Sequence, residues 1–153
     1  EKARRAGEGS AEVLAQLHKV PGCENLTWND VQIASTIFAV KPGDGSAREQ
    51  AASCPRVLGA GANIVTEYAT KRYRSNLINW GMLPLQLVGA TPFGLGDYVF
   101  IPNVREALKG DLQNIKAYVL GDTAKAFSLY MAPLTADERK ILADGCLINF
   151  YKN

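Results

Sequence analysis

The run Pro42-Gly43-Asp44-Gly45-Ser46-Ala47-Arg48-Glu49-Gln50-Ala51-Ala52 places a serine and an arginine two positions apart, after a glycine-rich turn and at the head of a helix-forming stretch. The first N–H groups of a helix have no intrahelical partner and lie at the positive end of the macrodipole, so this position favours a bound anion. Oriented N–H groups and a neighbouring cation are also the means of lowering the proton affinity of a serine hydroxyl, which is otherwise far too high for base chemistry. An arginine guanidinium holds a carboxylate through two parallel hydrogen bonds. Ser46 and Arg48 therefore outline a site for a small anionic substrate. Ser46-Ala47-Arg48-Glu49 is equally an S-x-x-E capping box, which needs no ligand. The two readings are compatible, because a capping serine can leave its neighbouring N–H groups to a ligand.

The elements around this run follow from pattern. Ile33 to Val40 is apolar and partly β-branched and predicts a buried strand leading into the glycines. Residues 46–53 predict a short helix ended by Pro55. Asn63 to Thr66 predicts a second strand after the turn at Gly59 and Gly61, and this lone Gly-Ala-Gly is no dinucleotide fingerprint. Residues 67–80, with Tyr68, Tyr73, Leu77 and Trp80 at helical spacing, predict a helix closed by Gly81. Strands are expected at 83–88, where Pro84 lies near the start, and at 98–101 after Gly96-Asp97.

A short helix at 104–109 ends at Gly110, and strands at 115–120 and 126–131 flank a turn at Gly121-Asp122. Ahead of all these, residues 9–19 predict a helix capped by Ser10 and ended by Pro21-Gly22. Thr135-Ala136-Asp137-Glu138 is a second capping box, and Ile141, Gly145 and Ile148 continue its helix, with Gly145 packed closely on a neighbour. Short strands interleaved with short helices make a mixed α/β domain, a compact sheet or pseudo-barrel with helices outside.

Composition narrows the function classes. A chain of 153 residues is expected to form a single domain with a real core. A net charge of +2 is too small to argue for nucleic acid or a membrane surface as partner. The basic clusters Lys2-Ala3-Arg4-Arg5 and Lys71-Arg72-Tyr73-Arg74 read as solvated faces. No apolar run approaches the ~18 residues of a membrane span, and no secretory signal is evident, so a cytoplasmic location is expected.

Cys23, Cys54 and Cys146 are odd in number and widely spaced, which argues against a disulfide framework or a self-contained zinc or iron–sulfur site and predicts three buried free thiols. His18, the single histidine, is expected to pack or face solvent rather than bind metal. The chain opens Glu-Lys-Ala-Arg-Arg without methionine and is read as part of a longer protein.

Gly43-Asp44-Gly45-Ser46-Ala47-Arg48-Glu49-Gln50-Ala51-Ala52 resembles the G-x-G-S-S-R-E-H-A-A motif of the aconitase superfamily, found in the C-terminal swivelling domain of aconitases and in isopropylmalate isomerases. Pro55-Arg56-Val57-Leu58-Gly59 is similar to the segment that follows that motif. Arg74-Ser75-Asn76-Leu77 through Gly81-Met82-Leu83-Pro84-Leu85 is similar to the family's R-S-N-L-x-x-x-G-x-L-P-L stretch. Gly96-Asp97 resembles a later turn, and Leu134-Thr135 through Asn149-Phe150 the terminal helix. The resemblance covers residues 26–151, the core of a fragment 1–153, and leaves 1–25 as an N-terminal helical segment.

It implies a three-layer β/β/α swivelling domain of the α/β class. It also implies a hydro-lyase that dehydrates and rehydrates a hydroxy di- or tricarboxylate, with a 4Fe–4S cluster in companion domains polarising the hydroxyl and none bound by this fragment. By the same resemblance Ser46 is the base that removes the α-proton and Arg48 grips a substrate carboxylate. Gly45 and Ala47 line the substrate, and Glu49 and Gln50 support the loop. The sequence departs from the family at Ala47, a serine there, at Gln50, a histidine there, and at Ala69-Thr70-Lys71-Arg72-Tyr73, where the family has an F-x-R-I-H type run. The family's T-D-x-I opening segment, with a further substrate arginine, has no counterpart here. These departures leave open a divergent substrate or a homologue that binds a ligand or partner without catalysis.

Overall fold

A computed structural model describes residues 9–152. The basic run Lys2-Ala3-Arg4-Arg5 lies outside them. The chain divides into two compact units. The larger takes in Ala34–Val88, Asn103–Ile115 and the chain from Leu129 onward. Its centre is a βαβαβ run: β1 (Ser35–Ala39), α2 (Gln50–Val57), β2 (Ala60–Val65), α3 (Lys71–Asn79) and β3 (Leu83–Gln86). All three strands are parallel in the order β1-β2-β3, as the helical crossovers require.

Ala52, Ala60, Tyr73, Leu77 and Met82 form its core cluster, with Tyr68 and Trp80 packed against it. Tyr130 bridges β3 through Gln86, the two backbones exchanging hydrogen bonds of 2.7 and 3.0 Å. Helices α4 (Val104–Lys109), α5 (Ala136–Asp144) and α6 (Leu147–Phe150) complete the unit.

The Thr135 capping box forms in full: its hydroxyl accepts from the Glu138 N–H at 3.2 Å, and Glu138 Oε2 accepts from the Thr135 N–H at 2.8 Å. Gly81, at φ +71°, ends α3 as predicted. Gly145 does not lie inside a helix. At φ +96° it stops α5 in the left-handed conformation, the C-terminal role that glycine fills without a Cβ penalty. Its close contact is backbone on backbone, since a Cβ on Gly81 would overlap the Gly145 carbonyl oxygen.

Pro55 does not end α2. A proline removes only its own N–H bond to the carbonyl four residues back, and the ladder resumes with Leu58 N–H on Cys54 O at 3.2 Å. β2 begins at Ala60 rather than Asn63, so Gly59, at φ +103°, makes the turn alone. Gly61 lies inside the strand, where a Cβ would meet the Cβ of Ala34. α3 begins at Lys71 rather than at 67, because Thr70 caps it and accepts from the Tyr73 N–H at 3.2 Å. β1 is an exposed edge strand, not a buried one: Ile37 and Phe38 are 37% and 42% exposed. It is the outer member of the sheet, and an apolar run does not distinguish an edge from a centre.

The smaller unit takes in the chain to Ile33, Gly89–Pro102 and Lys116–Ser128. It holds α1 (Ala11–Leu17), capped as expected by Ser10, and a second sheet in the order β4-β5-β6. These strands are β4 (Val99–Phe100), β5 (Ile115–Val119) and β6 (Lys125–Leu129), with β4 antiparallel to β5. Leu17, Val20, Cys23, Tyr118 and Leu120 form its core. His18 takes the packing role expected of it, its Nε2–H donating to the Leu26 carbonyl at 2.7 Å. The protein is thus mixed α/β, with one parallel sheet and one containing an antiparallel pair. No helix among the described residues is long and apolar enough to cross a membrane.

Candidate functional site

The loop between β1 and α2 is built on Gly43, whose φ of +96° is a left-handed conformation that a side chain would strain. Its carbonyl accepts two hydrogen bonds, from Thr70 Oγ1 at 2.9 Å and from Arg48 Nε at 3.1 Å. The Ala69 N–H donates to the Pro42 carbonyl at 3.0 Å, so the cap of α3 and the residue before it hold the loop. Arg48 folds back over the loop and adds a longer bond from Nη2 to the Asp44 carbonyl at 3.4 Å. That commits the Nε–Nη2 edge of the guanidinium to the loop and leaves Nη1 uncommitted among the described residues.

Ser46 is exposed at the crest, with Gly45 and Ala47 exposed on either side of it. The regular helix begins only at Gln50, but Ala51 N–H already reaches the Ala47 carbonyl at 3.0 Å. The N–H groups of Arg48, Glu49 and Gln50 therefore precede the ladder, immediately after Ser46 and Ala47.

The expected capping box at Ser46 does not form, for α2 has no side-chain cap. Glu49 turns instead to Trp80, whose indole N–H donates to its carboxylate at 2.9 Å. The residue that would have reached back to Ser46 thus ties the loop to the end of α3, and the serine hydroxyl is left to solvent. Gln50 opens α2 and is exposed. Ser46, Arg48 and these N–H groups lie on the one loop between β1 and α2.

Sequence reasoning missed the supports. Thr70, Tyr73 and Trp80 lie well beyond the loop in sequence, yet each touches it. The departure from the family pattern at 69–73 was the available signal. Tyr73 is buried beneath Gly43, and its hydroxyl accepts from Asn63 Nδ2 at 2.8 Å. Tyr68 is mostly buried, its hydroxyl donating to the Leu85 carbonyl at 3.3 Å. Burial first, and then its neighbour Tyr73, push its phenol well above the ordinary range, so it stays protonated. The cluster 71–74 is only partly a solvated face. Lys71 and Arg72 are exposed, but Arg74 is half-buried and donates to the Ala132 and Pro133 carbonyls at 3.4 and 2.6 Å.

The thiols are free, as expected, but only Cys23 is buried. Cys54 is exposed on α2 and Cys146 is intermediate. No three histidine, cysteine, aspartate or glutamate side chains come together as a metal site among the described residues, so an iron–sulfur cluster does not fit there.

Residues 19–89 match the family model described as the aconitase C-terminal domain. The chain is also similar to aconitate hydratase A of Rickettsia felis, 44% identical over 62 residues, a stretch that makes up 40% of this chain and 7% of that protein. The chain thus spans only a small part of the length of that relative. The stretch that matches this family model includes the whole Gly43–Gln50 loop together with its supports Thr70, Tyr73 and Trp80.

Proposed function

We propose that this loop completes the site of an aconitase-like hydro-lyase acting on a hydroxy di- or tricarboxylate, as part of a larger protein. Ser46 removes the α-proton of the substrate, and Arg48 grips a substrate carboxylate. The observation that carries the reading is the crest itself: an exposed serine hydroxyl beside N–H groups that precede the helix ladder, with a guanidinium fixed on one edge and open at Nη1. Such groups stabilise an alkoxide and the developing negative charge on substrate more than they stabilise the neutral forms, which is the requirement for catalysis. The remaining substrate ligands and any 4Fe–4S cluster belong, in this reading, to other domains of the same protein.

The test is turnover by the full-length protein, reconstituted with its cluster under anaerobic conditions and followed at the absorbance of the unsaturated acid. Citrate, isocitrate, isopropylmalate, homocitrate and methylcitrate are run in parallel. Dehydration of any of them supports the reading. Silence on all, with an intact cluster, favours a homologue that binds without catalysis. Ala47 and Gln50, which supply no hydroxyl and no titratable ring beside Ser46, are the residues that would explain it.

A further inference from the structure

We propose that Tyr73 is the positioning residue of the Gly43–Gln50 loop, its ring seating Gly43 and its hydroxyl tied to the buried Asn63. This rests on reading the loop as part of a hydro-lyase site. A Cβ on Gly43 would overlap Cβ, Cγ and Cδ1 of Tyr73, so the loop backbone lies directly on that side chain. Thr70, the cap of the same helix, holds the Gly43 carbonyl, and Arg48 holds it from the loop. Gly43 is thus fixed between a ring below and two donors at its carbonyl, and Ser46 follows three residues on.

The ring is held in turn. Tyr73 is 4% exposed, and its hydroxyl meets Asn63 Nδ2 at 2.8 Å. Asn63 is fully buried in β2, and it is the polar member of the buried set among the described residues. Its Oδ1 has no hydrogen-bond partner among the described residues. A buried amide with one unpaired end costs stability that an apolar residue of similar volume would not, so packing alone does not account for it. Fixing the tilt of the Tyr73 ring does account for it.

Two variants of the full-length protein test this, Tyr73→Phe and Tyr73→Phe combined with Asn63→Leu. The single change strands the amide and lowers the melting temperature. The paired change removes both partners and restores it, while leaving the ring untied. Hydrogen exchange, read by mass spectrometry, is compared for peptides covering 42–50 and 60–65. In the paired variant the 42–50 peptides are expected to exchange about tenfold faster while 60–65 stay protected. The same variant is expected to lose about tenfold in kcat, with a smaller change in KM.

Unchanged exchange over 42–50 in both variants overturns the positioning role, and so does equal acceleration over 60–65. Faster exchange confined to 42–50, in a protein whose wild type turns over no hydroxy acid, upholds the positioning of the loop and overturns the hydro-lyase reading instead.

Discussion

Arg48 divides its guanidinium between two tasks. Nε and Nη2 brace the carbonyls of Gly43 and Asp44, and Nη1 is uncommitted among the described residues. A lysine presents a single point of charge and cannot do both. Arg48→Lys is therefore expected to raise KM for a carboxylate substrate by about ten- to a hundredfold, the loss of one charge-assisted hydrogen bond. Steady-state kinetics of the full-length variant decide it, and an unchanged KM would remove Arg48 from substrate binding. The sequence showed that Ser46 and Arg48 share one turn. It did not show that Glu49 belongs to Trp80, because that bond spans 31 positions and depends on where α3 ends. Local spacing offered Glu49 a capping role, and a tertiary partner took it.

At the level of elements, two threonines cap two helices with different consequences. Thr135 closes a capping box on α5 and makes no hydrogen bond to the loop among the described residues. Thr70 caps α3 and also donates to the Gly43 carbonyl. Thr135→Ala is expected to cost ~1 kcal/mol, seen as a melting temperature lower by a few degrees, with activity retained. Thr70→Ala is expected to cost at least as much stability and also to lower kcat, since it frees the carbonyl on which the loop turns. Thermal melts beside turnover separate them, and equal activity in the two variants would refute the special role of Thr70.

The capping box at Thr135 was legible because all its partners lie within four residues. The failures were of two kinds. Pro55 and Gly145 invite local rules that bear on one residue, but the helix ladder resumes after the proline and stops at the glycine. The exposure of β1 was illegible for another reason: its apolar residues are those of a central strand, and only the pairing order shows it at the edge.

Across the whole chain the mixed α/β class and most elements followed from hydrophobic spacing and turn residues. The support of the loop did not, because Thr70 and Tyr73 reach Gly43, and Asn63 reaches Tyr73, only once α3 has docked on the sheet. The cysteines give an independent check on the described core. Burial raises the Cys23 thiol above its ordinary value, so it is both shielded and protonated, whereas Cys54 is exposed. Alkylation followed by mass spectrometry should label Cys54 quickly and Cys23 only on unfolding, and equal rates would contradict the core around Leu17, Val20 and Tyr118.

The account turns on one atom, the Ser46 hydroxyl oxygen, acting within a larger protein. The most direct measurement is kcat and KM of the full-length Ser46→Ala protein beside wild type, on whichever hydroxy acid the wild type dehydrates. The account predicts a kcat lower by several orders of magnitude with little change in KM, because the group lost acts on the transferring proton and not on binding. A kcat within about tenfold of wild type would mean that another group takes the proton, and would contradict the role assigned to this loop.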